Sequence, residues 1–184
     1  MSAIATATAA TTWKLDPAHS LAEFKVKHMM ISNVKGQFSD IAGSLELDES
    51  DVTRSRAVCS VETASVSTRE EQRDAHLRSA DFFDAEHFPQ LTFRSTQVTR
   101  KGEEELEVTG ELTIRGVTRP VTFHVEGPTP PAKDPWGNLR VGLAATTKIS
   151  RKDFGLIWNA VLETGGIMVG DEVTITIDAQ FIRQ

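Results

Sequence analysis

Apolar and polar residues alternate one by one along most of this chain. Between positions 22 and 28, Ala22, Phe24, Val26 and His28 share one face, and Glu23, Lys25 and Lys27 share the other. A period of two matches the alternating side-chain directions of a β-strand and does not fit the 3.6-residue repeat of a helix face. The pattern returns in Ile41, Gly43, Leu45 and Leu47, in Leu91, Phe93 and Ser95, in Leu106, Val108, Gly110, Leu112 and Ile114, and in Val121, Phe123 and Val125. It recurs in every second residue of 139–149 and of 173–181. Residues 56–66 form a further strand of ambiguous phase. Phe38 is out of phase with the Ile41 set, which predicts a bulge near Asp40. Turns are marked at Lys101-Gly102-Glu103 and Arg115-Gly116. The segment 127–138, with Pro128, Pro130, Pro131 and Pro135, reads as a loop within one domain.

Eight strands with one apolar face each need a second layer or closure on themselves. An all-β, eight-stranded antiparallel barrel removes the exposed edges; a two-sheet sandwich gives a similar pattern. The interior of such a barrel is either packed or able to hold one small ligand, and strand count does not choose between them. Two segments break the rhythm as short helical insertions. Residues 67–89 read as one or two helices, with a capping box at Ser67/Glu70 or Thr68/Glu71. Ser79 caps a second turn and Pro89 is the stop. Residues 151–170 predict a short helix near 159–164, ended by Gly165-Gly166.

The length of 184 residues fits one domain. Residues 1–12 are Ala- and Thr-rich and read as a loose tail before a single domain at 13–184. They lack the basic and strongly apolar regions of a secretory leader, so a cytoplasmic location is expected, or a periplasmic one if a leader has been removed. No apolar run approaches the length of a membrane helix. The net charge of −6 argues against a nucleic-acid partner. Cys59, the lone cysteine, reads as a small buried apolar residue. His19, His28, His76, His87 and His124 lack the close spacing of a zinc motif, so neither a metal nor another cofactor is expected.

Ordered motifs add to this reading. They are Trp13-Lys14-Leu15-Asp16-Pro17-Ala18-His19-Ser20, Phe24 with His28, Gly36-Gln37-Phe38 and Ser65-Val66-Ser67-Thr68. Arg73-Asp74-Ala75-His76-Leu77, Asp81-Phe82-Phe83-Asp84 and 88–95 (Phe-Pro-Gln-Leu-Thr-Phe-Arg-Ser) follow. Then come 110–118, Arg151-Lys152-Asp153-Phe154-Gly155 and Val169-Gly170-Asp171. Each is weak alone; as an ordered set from Trp13 to Phe181 they resemble the YceI family of polyisoprenoid-binding proteins. The resemblance implies a lipocalin-like barrel whose elongated apolar pore holds an isoprenoid or another long-chain amphiphile, with no catalytic constellation.

Candidate pore residues follow. Phe24, Val26 and His28 share a strand face, with His28 either meeting a headgroup or buried and hydrogen-bonded. Phe82, Phe83, Phe88 and Phe93 cluster at the first insertion, lining the pore or packing helix onto barrel; adjacent Phe82 and Phe83 point different ways. Trp158, Leu162 and Met168 belong to the second insertion, and Phe38, Leu77 and Phe154 complete the set. Arg73, Asp74, His76, Arg151 and Asp153 form a polar cluster. They either hold an acidic headgroup or make ion pairs, Arg73–Asp153 or Arg151–Asp74, that tie insertion to barrel. A carrier is the leading reading. An enzyme on an isoprenoid-like substrate and a packed interaction module are the alternatives, and a homodimer is plausible.

Overall fold

The computed structural model describes residues 9–184. The loose tail expected at the N-terminus lies mostly outside the described residues, but its last two residues, Thr11 and Thr12, begin a strand. The strands are β1 (Thr11–Leu15), β2 (Leu21–His28), β3 (Ser32–Phe38), β4 (Ile41–Leu47), β5 (Arg56–Glu62) and β6 (Val66–Ser67). One α-helix, α1 (Glu71–Arg78), separates these from β7 (Gln90–Arg100), β8 (Glu105–Ile114) and β9 (Val117–Glu126). β10 (Ala132–Lys133), β11 (Leu139–Ser150) and β12 (Val169–Arg183) complete the chain.

The pairings close an antiparallel ring of eight: β11, β9, β8, β7, β5, β4, β1 and β12, with β12 returning to β11. β12 pairs along one edge with β11, residues 140–150 lying opposite 172–182. Its other edge is shared: Phe181 to Arg183 pair with β1, and residues 169–178 pair with β2. β2 then pairs with β3, and β3 with β6. Two staves of the barrel are thus each broken in the middle, one into β1 and β2, the other into β3 and β4. Asp16-Pro17 makes the first break, because proline has no N–H for a ladder. Ser39-Asp40 makes the second, so the phase change at Phe38 is a break between strands rather than a bulge. The register shifts that do occur lie between Ser95 and Gln97 and between Val169 and Val173.

The β9–β11 seam is short. Only Ala144, Ala145 and Thr146 face β9, at Glu126, Val125 and His124. Pro120 is tolerated in β9 because it pairs there only with Glu111 of β8. Above the seam a 3-10 turn, Arg151–Phe154, covers the gap with the fully buried Phe154 ring.

An ion network pins the closed end. The Arg140 Nη1 donates to Asp16 Oδ2 at 2.6 Å and its Nε to Asp134 Oδ2 at 2.8 Å. The guanidinium holds Asp16 down to about 2, assisted by His19, and holds Asp134 lower still. A depressed carboxylate contributes stability above its unfolded value, near 3.8, that is lost as pH falls through the folded one. Thermal melting followed from pH 5 downward is therefore expected to show the midpoint falling steeply between about pH 4 and pH 2. In Arg140→Ala that dependence flattens; an unchanged slope would show that the network does not couple protonation to folding.

Candidate functional site

The barrel interior is both packed and hollow. Its closed end is the more densely packed, with Trp13, Leu15, Ile41, Leu45, Leu47, Val141 and Phe181 in one buried cluster. The other half encloses a cavity of about 540 Å³, within the range of small-molecule sites. The inward face of β2 supplies Phe24 and Val26, β12 supplies Val173, Ile175 and Ile177, and β7 and β8 supply Leu91, Phe93, Leu112 and Ile114. α1 and the turns after it roof the cavity with Leu77, Phe82 and Phe83. Lys27, Gln72 and Arg73 line it and are exposed, which places the mouth between α1 and the β2–β3 turn.

Of the expected pore residues, Phe24, Val26, His28, Phe38, Leu77, Phe82, Phe83, Phe93, Phe154, Trp158 and Met168 all border this space. Phe82 and Phe83 both reach it, from different walls. Phe82 packs with Trp158 and His76, whereas Phe83 meets Phe24 and Phe38 edge-on. Two expected residues do not reach it. The Phe88 ring lies against Gly116 in the β8–β9 turn, where its carbonyl accepts from Thr63 Oγ1. Leu162 sits in the turn 162–165, its N–H donating to the Gly166 carbonyl at 2.8 Å.

That turn replaces the helix expected near 159–164. Six residues are too few to recover the cost of helix nucleation. They fold instead as a small hairpin with a Val161–Ile167 bridge. Asn159 organises it, its Oδ1 accepting from the N–H groups of Ala160, Met168 and Val169 and its Nδ2 donating to the Val169 carbonyl. α1 also starts later than the capping boxes predict. Glu70 is its N-cap, accepting from the N–H groups of Gln72 and Arg73. Ser79 ends this helix by donating to the His76 carbonyl, and no second helix follows it.

The polar cluster divides. Arg151 is buried, and its guanidinium donates to the carbonyls of Gly170, Leu156, Trp158 and Val169. Its acidic neighbour is Asp171, at 3.7 Å, not Asp74. With its donors committed to backbone, Arg151 fastens the second insertion to the barrel and has little left for a headgroup. Asp74 is buried and accepts from the N–H and Oγ1 of Thr68. Asp153 is exposed and meets Arg119 through its carbonyl, so the expected Arg73–Asp153 pair does not form either. Arg73 spends Nε and Nη2 on Thr68 and keeps Nη1 free at the mouth. His76 bonds Asp81 through Nε2 and stands edge-on to Phe82 and Trp158.

A second space of about 110 Å³ lies deeper in the barrel. It shares Cys59, Phe93, Phe123 and Ile177 with the main cavity. The Phe93 and Phe123 rings, 5.1 Å apart and edge-to-face, stand between the two. Burial pushes the Cys59 thiol up to about 11, so it stays protonated and behaves as an apolar wall group at neutral pH.

A closed eight-stranded barrel around an apolar chamber defines a lipocalin-like class of protein. Residues 13–181 match the YceI-like domain family, and the chain belongs to that family. It is 38% identical over 172 residues to a UPF0312 protein of Staphylococcus aureus, covering 93% of this chain and 97% of the relative. Among solved structures, Burkholderia cenocepacia BcnA superimposes with a TM-score of 0.77 at 25% identity, covering 90% of this chain and 98% of that one. The Campylobacter jejuni YCEI protein gives 0.73 at 29%, covering 86% and 90%. A polyisoprenoid binding domain from Saccharophagus degradans shares the fold, at 0.68 and 14%, covering 95% and 99%.

Replacing Arg151 by Leu leaves four carbonyls without their donor. We expect a loss of about 3 kcal/mol or more in urea denaturation. Arg151→Lys is expected to recover only part of this, because an ammonium does not reproduce the forked geometry.

Proposed function

We propose that this protein binds a single long-chain amphiphile, a polyisoprenoid or similar lipid, with its apolar chain in the cavity and its polar end at the mouth. The observation that carries the reading is the 540 Å³ chamber, walled by aliphatic and aromatic side chains and open at one end. Each buried methylene contributes roughly 0.8 kcal/mol, so such a space binds tightly without many polar contacts. The free Nη1 of Arg73 and the imidazole of His28 stand at the rim, where an acidic or hydroxyl head would lie. Kinship with a barrel described as polyisoprenoid binding supports the same reading. A carrier fits the walls better than an enzyme does, since Cys59 is held as a thiol and Arg151 is committed to backbone carbonyls.

Native mass spectrometry of protein purified without detergent is expected to show an added mass that matches a long-chain species in an organic extract. Val26→Trp, which fills the chamber near its mouth, is expected to abolish that adduct while keeping the melting temperature. An adduct that persists in this variant would place the ligand elsewhere.

The Phe93–Phe123 pair then sets the depth available to the chain. In Phe93→Ala or Phe123→Ala the two spaces merge, and each further methylene admitted adds about fourfold in affinity. From a mixture of fatty alcohols, either variant is expected to capture longer chains than the wild type. An unchanged length distribution would show that the septum does not limit depth.

A further inference from the structure

Large apolar side chains are exposed unevenly on this molecule. Eight are exposed among the described residues, and six of them stand at the mouth end: Met29, Met30, Ile31, Ile157, Val161 and Ile167. They come from two segments joined to each other. The Met29 N–H donates to the Met168 carbonyl at 2.7 Å, and Val161 and Ile167 pair across the small hairpin that ends at Met168. Ile31 is 79% exposed and Val161 83%. A contiguous apolar patch on a domain surface marks a contact site.

The β2–β3 turn is held in a costly conformation. Met29 and Met30 both have positive φ, 53° and 58°, and the turn is closed by the Ile31 N–H on the His28 carbonyl. Such turns favour Asn and Gly at these positions. Two unbranched, adaptable methionines stand there instead, with their side chains outward.

Three lysines stand behind the patch. On the outer face of the same hairpin, Lys25 lies directly opposite Lys35, and Lys27 is beside the turn, opposite Asn33. Like charges placed opposite one another are unfavourable in an isolated sheet. Lys101, Lys148 and Lys152 have ion-pair partners, whereas among the described residues Lys25, Lys27 and Lys35 have none, as is also the case for Lys14 and Lys133 elsewhere on the barrel. Glu163 is the acidic residue of the small hairpin, and Glu23 lies two residues further back on the lysine face. Lys25, Lys27 and Lys35 thus form a basic cluster behind the patch, on a chain of net charge −6 whose other acids near the mouth are Glu70 and Glu71 at the start of α1 and Asp171 and Glu172 of β12, the last two paired with Lys152 and Lys148.

We propose that this rim, Met29, Met30 and Ile31 together with Ile157 and Val161, is a docking surface for an anionic lipid bilayer, with Lys25, Lys27 and Lys35 meeting the headgroups. The rim rests on the reading of the cavity as a lipid site only for its purpose. It sets the open mouth against the phase where an amphiphile resides, so the ligand's tail crosses from bilayer to barrel without meeting water. Apolar tips inserted at the interface and flanking lysines that snorkel toward phosphate are the two contributions such binding needs. A second copy suits the surface less well, since facing mouths would bring two unpaired lysine clusters together.

The test is co-sedimentation of the full chain with vesicles of phosphatidylcholine alone and with vesicles of equal parts phosphatidylcholine and phosphatidylglycerol. Binding to the anionic vesicles is expected to exceed binding to the neutral ones and to fall as salt is added. Ile31→Asp with Val161→Asp, and separately Lys25→Glu with Lys35→Glu, are each expected to lower the anionic partition by about tenfold. All four positions are outside the barrel interior, so the melting temperature is expected to hold. Equal binding to both vesicles, no binding, or no effect of either pair overturns the proposal. So does a dimer in sedimentation velocity without vesicles that the Ile31→Asp, Val161→Asp pair dissolves, for the patch is then a self-interface. Uptake of a fluorescent fatty acid in vesicle-free solution is measured alongside. Its loss in the wild type counts against the lipid-binding reading, whereas intact uptake without vesicle binding counts against docking alone.

Discussion

β12 carries strand partners along nearly its whole length on both edges, and the barrel exists only because it does. On one side it meets β11 over eleven consecutive positions. On the other it serves two strands in turn, β2 near its start and β1 at its end. A continuous partner would make a uniform tube. The break at Asp16-Pro17 lets the two halves of that stave take different paths, and the break at Ser39-Asp40 does the same for the next. At the β1–β4 end the inward side chains leave only the small second space, with Trp13 entirely buried. At the β2–β3 end the wall stands off, and α1 with its following turns roofs the gap rather than filling it. The packed half carries the hydrophobic stabilisation that the hollow half forgoes, since an empty apolar cavity loses both dispersion contacts and transfer energy.

The irregular wall formed by residues 151–170 raises a separate difficulty. Non-repetitive backbone beside an apolar chamber exposes carbonyl and N–H groups that water cannot reach, and each must find a partner. Two side chains meet most of that need. Arg151 gathers four carbonyls from both ends of the segment, and Asn159 satisfies three N–H groups and one carbonyl in its middle. Burial works against the charge on Arg151 and lowers its affinity for a proton, while Asp171 opposes that shift. The arginine is thus an internal brace for a wall that has no ladder.

The period-two pattern made the barrel legible because strands with one wet face write it directly into the sequence. Eight staves follow from it, and so does the inward face of β2. What it could not carry was long-range geometry. β1 is too short for alternation to register, and β3, from Ser32 to Phe38, has only Val34 and Phe38 as large inward residues, with Gly36 between them. Gly36 reads as a gap in the pattern, although in the fold it is where the Phe24 ring lies across the neighbouring strand. A Gly-Gly stop after residue 164 fits the turn of a hairpin as well as the end of a helix, so it does not separate the two. Phe88 and Leu162 neighbour in sequence residues that do reach the pore, but proximity along the chain does not carry them there. Opposite charge suggests pairing Arg151 with Asp74, whereas both are consumed by backbone and hydroxyl groups that charge alone does not reveal.

The dimensions of the chamber depend on two such glycines. A Cβ at Gly36 would collide with the Phe24 ring, and one at Gly110 would stand 2.5 Å from the tip of Phe93. In each case an aromatic side chain lies flat over a bare backbone on the adjacent strand, rather than standing up into the barrel. Phe24 thereby leaves the upper bore open, and Phe93 settles low enough to meet Phe123 and partition the interior. Small residues at these two positions therefore set the hollow volume as much as the large ones do. Alternation alone cannot distinguish a ring that fills a barrel from one that lines it. That distinction is made by what the neighbouring strand lacks, and it turns an eight-stranded barrel of ordinary composition into a container.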